Sequence, residues 1–204
     1  MLPETQQNYE LAQQHALASA SNQSPEGLIA LGAERIKDNC YNLPVLEATL
    51  TANLEDGAVT LVSDGTPIGL SWQIIVLHYL SAPVPWPEST DWQAFADFQD
   101  LRGYEPVYQG RVLGRLCGTA GRTEEGFIQA AESLNAQPFD RGDIGYRFPI
   151  FPHLDLIVGW YRADEDFPSN ATILYPDNIR ALLPLEDIIV LAECLVARLG
   201  GKGW

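Results

Sequence analysis

Apolar and polar positions follow two rhythms along this chain, and the rhythms divide it into strands and helices. The segment "VLEATLTANLEDGAVTLVSDG" alternates apolar and polar residues on both sides of Asp56-Gly57. That is the period of a strand with one buried face, and Asp-Gly is a strong hairpin signal, so two antiparallel strands are predicted. Three more strand patterns come late: "YRFPIF", "LDLIVGWYRA" and "ATILY". They are divided by Pro152-His153 and by the acidic FPSN turn, and the last is closed by Pro176-Asp177-Asn178.

The other rhythm is helical. A first helix is predicted over 6–20. A second opens at Ser24 as N-cap with Pro25 in the first helical position, and Ile29, Ala33, Ile36 and Cys40 then fall on one face. Cys40 is thereby read as core. "PIGLSWQIIVLHYL" is apolar nearly all round, the mark of a helix buried on most sides. The prolines of "APVPWPESTDW" enforce a loop. Further helices are predicted over 107–117 and 123–135, the latter with Phe127, Ala130, Ala131 and Leu134 on one side. The last, over 185–199, repeats Leu185, Ile188, Ala192, Leu195 and Leu199 at helical spacing. Glu186 and Asp187 occupy its first turn, where the macrodipole favours acids, and Gly200-Gly201 ends it.

These elements define an α+β fold: an antiparallel sheet of about five strands packed with helices, one of them a largely buried central helix and another a C-terminal amphipathic one. The 204 residues suffice for one substantial core, and no polar low-complexity run separates two apolar halves, so a single domain over 1–204 is expected.

Composition narrows the partners. A formal net charge of −15 disfavours nucleic acid, whose binding rests on Lys and Arg releasing counterions, and anionic membrane surfaces as well. Cys40, Cys117 and Cys194 are odd in number and far apart, which fits a reducing cytoplasm rather than a disulfide framework or a metal knuckle. The N-terminus lacks the basic and apolar regions of a signal peptide, and the longest apolar stretch is too short to span a bilayer. No cofactor or metal is specified.

Candidate chemistry is sparse. Arg102, Arg111, Arg115 and Arg122 are four of the twelve basic residues and lie together in 102–122, where Glu105 is the only acid. Bidentate guanidinium groups suit a carboxylate or phosphate ligand, or they pair with the protein's own surplus acids. Arg111 and Arg115, four apart, are expected on one helix face. Trp86, Trp92, Tyr104 and Tyr108 cluster in the neighbouring irregular section, either as a ligand pocket or as a cover over a sheet face. His78 in the buried helix is either a general base or a hydrogen-bonded structural histidine; His15 and His153 offer it no ligand spacing. The acids 164–166 read as a solvated hairpin tip, with Asp166 and Asn170 as the residues that a site there would use.

"LSWQIIVLHYL", an aromatic Arg-Gly-Tyr stretch, "FIQAAESLNAQPFDRGDIGYRFPIF", "DEDFPSNATILYPDN" and "LLPLEDIIVLAECLV" occur in this order. Together they resemble the bacterial and archaeal domain of unknown function 3786 over about 24–199. The resemblance implies a fold and no established activity. Its most recognisable segments fall on His78, Tyr79, Asp166, Phe167, Asn170, Leu183, Pro184, Glu186 and Asp187. Some members stand beside cysteine-rich iron–sulfur modules, and this chain carries no such cysteine cluster.

Three functions are compatible with these features. One is a binding or accessory module holding a small anionic molecule or a protein partner through Trp92, Tyr104, Tyr108, Asn170 and the four arginines. Another is a small enzyme with His78 or Asp166 as general base and an Arg clamp on an anionic substrate. The third is a structural subunit of a larger complex.

Overall fold

The computed structural model describes residues 4–204. Helix α1 (Glu4–Ser21) and the short α2 (Pro25–Ala30) lead into a meander of β1 (Glu34–Lys37), β2 (Cys40–Val45), β3 (Ala48–Asn53) and β4 (Val59–Leu61). Helix α3 (Leu70–Leu80) follows, then β5 (Trp92–Ala94) and a run of short helical turns that includes α4 (Glu105–Tyr108) and α5 (Arg115–Gly118). After α6 (Glu124–Ser133) the chain forms β6 (Gln137–Pro138), β7 (Ile144–Phe151), β8 (Leu154–Tyr161) and β9 (Asn170–Pro176), and closes with α7 (Ile179–Leu182) and α8 (Leu185–Leu199).

The fold is α+β, as the alternation and helical spacing predicted. The strands form two antiparallel sheets rather than one: β1-β2-β3-β4, and β5-β9-β8-β7-β6. The sheets meet where the Leu46 amide donates to the Pro149 carbonyl at 3.1 Å. One continuous apolar cluster runs from Ala16 on α1 through both sheets to Leu199 on α8. Helix α3 lies in it with seven of its eleven residues buried, which is why its sequence shows no polar face.

The second predicted helix is corrected. It stops at Ala30 instead of continuing to Cys40, although the cap is as expected: the Ser24 side chain accepts from the Gly27 amide at 3.0 Å. The cause is Gly32, whose φ of +86° is left-handed and ends the helix, and whose missing side chain admits Pro152, which would lie 2.5 Å from a Cβ. Asn39, at φ +58°, then turns β1 into β2. Cys40 is buried as expected, but on a strand.

The helix predicted over 107–117 is also corrected. Residues Gln109–Gly114 form a π-helical turn between α4 and α5, so the four-residue face shared by Arg111 and Arg115 is not kept in register.

Candidate functional site

Three helical stripes converge on one groove. Tyr9, Ala12 and His15 succeed one another at three-residue intervals on α1; Ser71, Ile74, Ile75 and His78 share a face of α3; Asp187, Val190, Cys194 and Arg198 share a face of α8. Helix α3 packs on both α1 and α8. Two cavities lie along the groove, of about 370 Å³ beside His78 and about 520 Å³ beside Arg198, and Tyr9 and Ser71 wall both.

At the first cavity, Asp187 is 6% exposed, the one buried charged side chain among the described residues. Its Oδ2 lies 2.7 Å from His78 Nδ1. A carboxylate only accepts, so Nδ1–H is the donor, and in a neutral imidazole the lone pair is left on Nε2. His78 itself is a fifth exposed and lines the cavity. A buried carboxylate aligning an imidazole is the arrangement that fixes tautomer and orientation in acid/base sites.

At the second cavity, Trp72 and Trp204 pack with ring centroids 5.1 Å apart, and the Arg198 guanidinium lies 4.7 Å above the Trp204 ring. Glu47 binds Arg198 Nη2 and accepts from Trp204 Nε1 at 3.2 Å. The turn that delivers Glu47 places Leu46 at φ +51°, a left-handed position costing about 1–2 kcal/mol, offset by burial of its side chain and the amide bond to Pro149. Glu47 Oε2 and Arg198 Nε are buried without a hydrogen-bond partner among the described residues. Arg198 and Lys202 carry the only charged side chains in the wall, and Glu47, which binds Arg198 and Trp204, lines a neighbouring cavity that shares those two residues. Burial pushes the Cys194 thiol up to about 12, so at neutral pH it is a protonated apolar lining group rather than a nucleophile.

The residues expected from the sequence are distributed elsewhere, His78 excepted. Arg102, Arg115 and Arg122 are exposed and take no carboxylate partner among the described residues; Arg111, 73% exposed, lies 3.9 Å from Glu193. None of the four lines a cavity described here. Tyr104 is exposed. Tyr108 is core: it stacks on Phe95 at 3.8 Å and shares a 2.9 Å hydrogen bond with buried Tyr175, and burial raises both hydroxyls above their ordinary value. Asp166 and Asn170 stay exposed at the β8–β9 connection, apart from His78. Asp164 Oδ1 accepts there from the amides of Asp166 and Phe167, an Asx turn that leaves Phe167 71% exposed. Trp92 lines a separate cavity with Trp86.

Sequence reasoning did not single out Arg198, Lys202, Trp72, Trp204 or Glu47, and it read Asp187 as a first-turn acid within one of the segments that carry the family resemblance, without pairing it with His78. The signal for Asp187 was its place four residues before Leu191, on the apolar stripe of α8. Nothing local marked Glu47, which is 151 residues from Arg198.

Two antiparallel sheets around a buried helix, with a groove beside it, define an α+β protein with a cavity-bearing helical layer. Residues 26–198 match the family model described as "Domain of unknown function (DUF3786)", so the chain belongs to that family. No curated protein and no solved structure matches the chain. Among the described residues, no three His, Cys, Asp or Glu side chains are grouped to hold a metal ion, and no helix is long and apolar enough to cross a membrane.

Proposed function

We propose that the protein binds a small amphipathic anion in the groove between α1, α3 and α8. The observation that carries this is the charge of the larger cavity: its charged side chains are Arg198, paired with Glu47, and Lys202, which has no carboxylate partner among the described residues, in a chain of net charge −15. The anionic group sits against these two cations, and the apolar body lies along Trp72, Trp204 and the Ile74–Ile75 wall toward His78. The same overall charge makes nucleic acid an unsuitable partner, and three free thiols fit a cytoplasmic setting.

The His78–Asp187 pair favours a second function for the same groove: proton abstraction from the bound anion by Nε2, with Asp187 stabilising the imidazolium formed. Lys202 is exposed, so Lys202→Glu tests binding without disturbing the core. Aryl carboxylates and alkyl phosphates, titrated against the fluorescence of Trp72 and Trp204, should bind wild type and bind the variant roughly tenfold more weakly. Equal affinity in both proteins, or equal affinity for uncharged analogues, would refute the anion site.

A further inference from the structure

A second cavity, of about 360 Å³, lies at the edge of the five-stranded sheet and has the opposite charge. Its floor comes from the sheet and its rim from the 86–92 segment, which is pinned across the end of β9. Thr90 donates through its amide and hydroxyl to the two carboxylate oxygens of Asp177, and Asn178 Nδ2 donates to the Pro87 carbonyl at 2.7 Å. The Asp177 amide donates to the Asp91 carbonyl at 3.0 Å. The segment is therefore a fixed wall, and it holds Trp86 and Trp92 on the same cavity.

Three carboxylates, Glu88, Asp91 and Asp155, stand in the lining against one guanidinium, Arg147, a formal balance of −2. Asp155 is already consumed by Arg147. Asp91 spends one oxygen on the Trp92 amide at 2.7 Å, and Glu88 has no hydrogen-bond partner among the described residues. His153 is held by Ala30: its Nε2 lies 3.0 Å from that carbonyl, so Nε2 carries the proton, and its ring lies 4.5 Å from Trp86. Independently of the acids, Asn178 Oδ1 is buried with no partner among the described residues. An acceptor left buried beside a cavity is costly unless a donor fills it.

Aromatic faces, surplus carboxylates and an unfilled acceptor are complementary to one chemistry: a positive, N–H- or N–CH₃-bearing group. Two tryptophans receive it through the ring quadrupole, the carboxylates through charge, and, where the group carries an N–H, the amide oxygen through a hydrogen bond. A neutral sugar would use the aromatic faces but leave the −2 balance uncompensated. A carboxylate or phosphate would be repelled. We propose that this cavity is a binding site for a small alkylammonium ion, separate from the anion groove on α1, α3 and α8. The field of a chain of net charge −15 draws such a cation in, and the two tryptophans hold it at this place rather than elsewhere on the acidic surface.

The test compares choline with its uncharged carbon isostere, 3,3-dimethylbutan-1-ol, and adds spermidine and glucose, each titrated calorimetrically into the full chain. Choline or spermidine should bind saturably at one site, and the isostere and glucose roughly tenfold more weakly or not at all. Glu88→Gln, an exposed substitution, should weaken the cation severalfold, whereas Glu165→Gln on the acidic hairpin tip should not. Trp86→Ala should abolish saturation, with its folding checked by its own urea transition, and Glu88→Gln serves as the second, milder variant. Equal binding of the isostere, preferential binding of glucose, or equal loss in Glu88→Gln and Glu165→Gln would each overturn the proposal. So would the absence of saturable heat from both cations into the millimolar range.

Discussion

The helical groove and the sheet-edge cavity are alike in aromatic content and opposite in how their charge is held. In the groove, the charged side chains are bonded and largely withdrawn from solvent: Asp187 is buried against His78, and part-buried Arg198 and Glu47 bind each other. At the sheet edge, the carboxylates Glu88 and Asp91 face solvent, with only Arg147 among the lining cations. A buried charge is expensive to leave alone and a solvated one is not. The groove's polar groups consequently hold the protein together, whereas at the sheet edge Glu88 makes no hydrogen bond among the described residues and Asp91 holds only the Trp92 amide.

The largest expected effect follows from that contrast. His78→Ala leaves Asp187 buried without its partner and should cost about 3–5 kcal/mol in urea unfolding. Asp187→Asn, which keeps an acceptor oxygen for Nδ1, should cost about 1 kcal/mol. If the two cost the same, the charge of the pair is not what the groove depends on. Glu88→Gln should leave the midpoint unmoved.

Alkaline pH sharpens the comparison next. Burial raises Cys194 to about 12 and pushes the hydroxyls of Tyr79, Tyr108 and Tyr175 upward too. Above their ordinary values the unfolded chain releases these protons while the folded chain keeps them. Stability is therefore complete below about pH 9 and is lost as pH rises toward and through the raised values, by up to about 1.4 kcal/mol per pH unit for each group in that window. Urea midpoints from pH 8 to 12 read the slope, and Cys194→Ser should flatten its first part.

Glu47→Gln should cost about 1–3 kcal/mol by unpairing Arg198, and it should red-shift Trp204 emission. An unmoved spectrum would mean that Glu47 does not hold Trp204. The smallest effect is expected for the double substitution of Arg111 and Arg115 by Ala: within about 0.5 kcal/mol in stability, with both cavities binding as before. Lost affinity at either cavity would return the 102–122 arginines to the centre of function.

What the sequence made legible was periodic. The bounds of α8, the Asp56-Gly57 hairpin, the burial of α3 and the three late strands were all readable because their patterns are local. β1 and β2 were hidden because Ile29, Ala33, Ile36 and Cys40 happen to fit a helical interval, and only a left-handed Gly32 breaks it. The candidate site was legible at one residue, His78. Its other half is long-range: Asp187 is 109 residues away, and charge density along the chain pointed to 102–122, where the side chains face solvent. Of the four aromatics grouped by sequence, Trp86 and Trp92 share a cavity, Tyr104 faces solvent and Tyr108 belongs to the core.

The π-helical turn Gln109–Gly114 closes its hydrogen bonds one residue later than an α-helix does. Such a turn holds one residue more than an α-helical turn does. Val112, Leu113 and Leu116 are buried around it, so the surplus residue is stored as a bulge instead of being passed along the chain. Deleting one residue there would let α4 and α5 fuse into a single α-helix with the buried residues on either side left in place, whereas deleting one residue from a regular α-helix would turn everything after it by about 100°. The bulge is thus a phase marker: relatives with and without it should carry Arg111 and Arg115 on different faces while burying the same core.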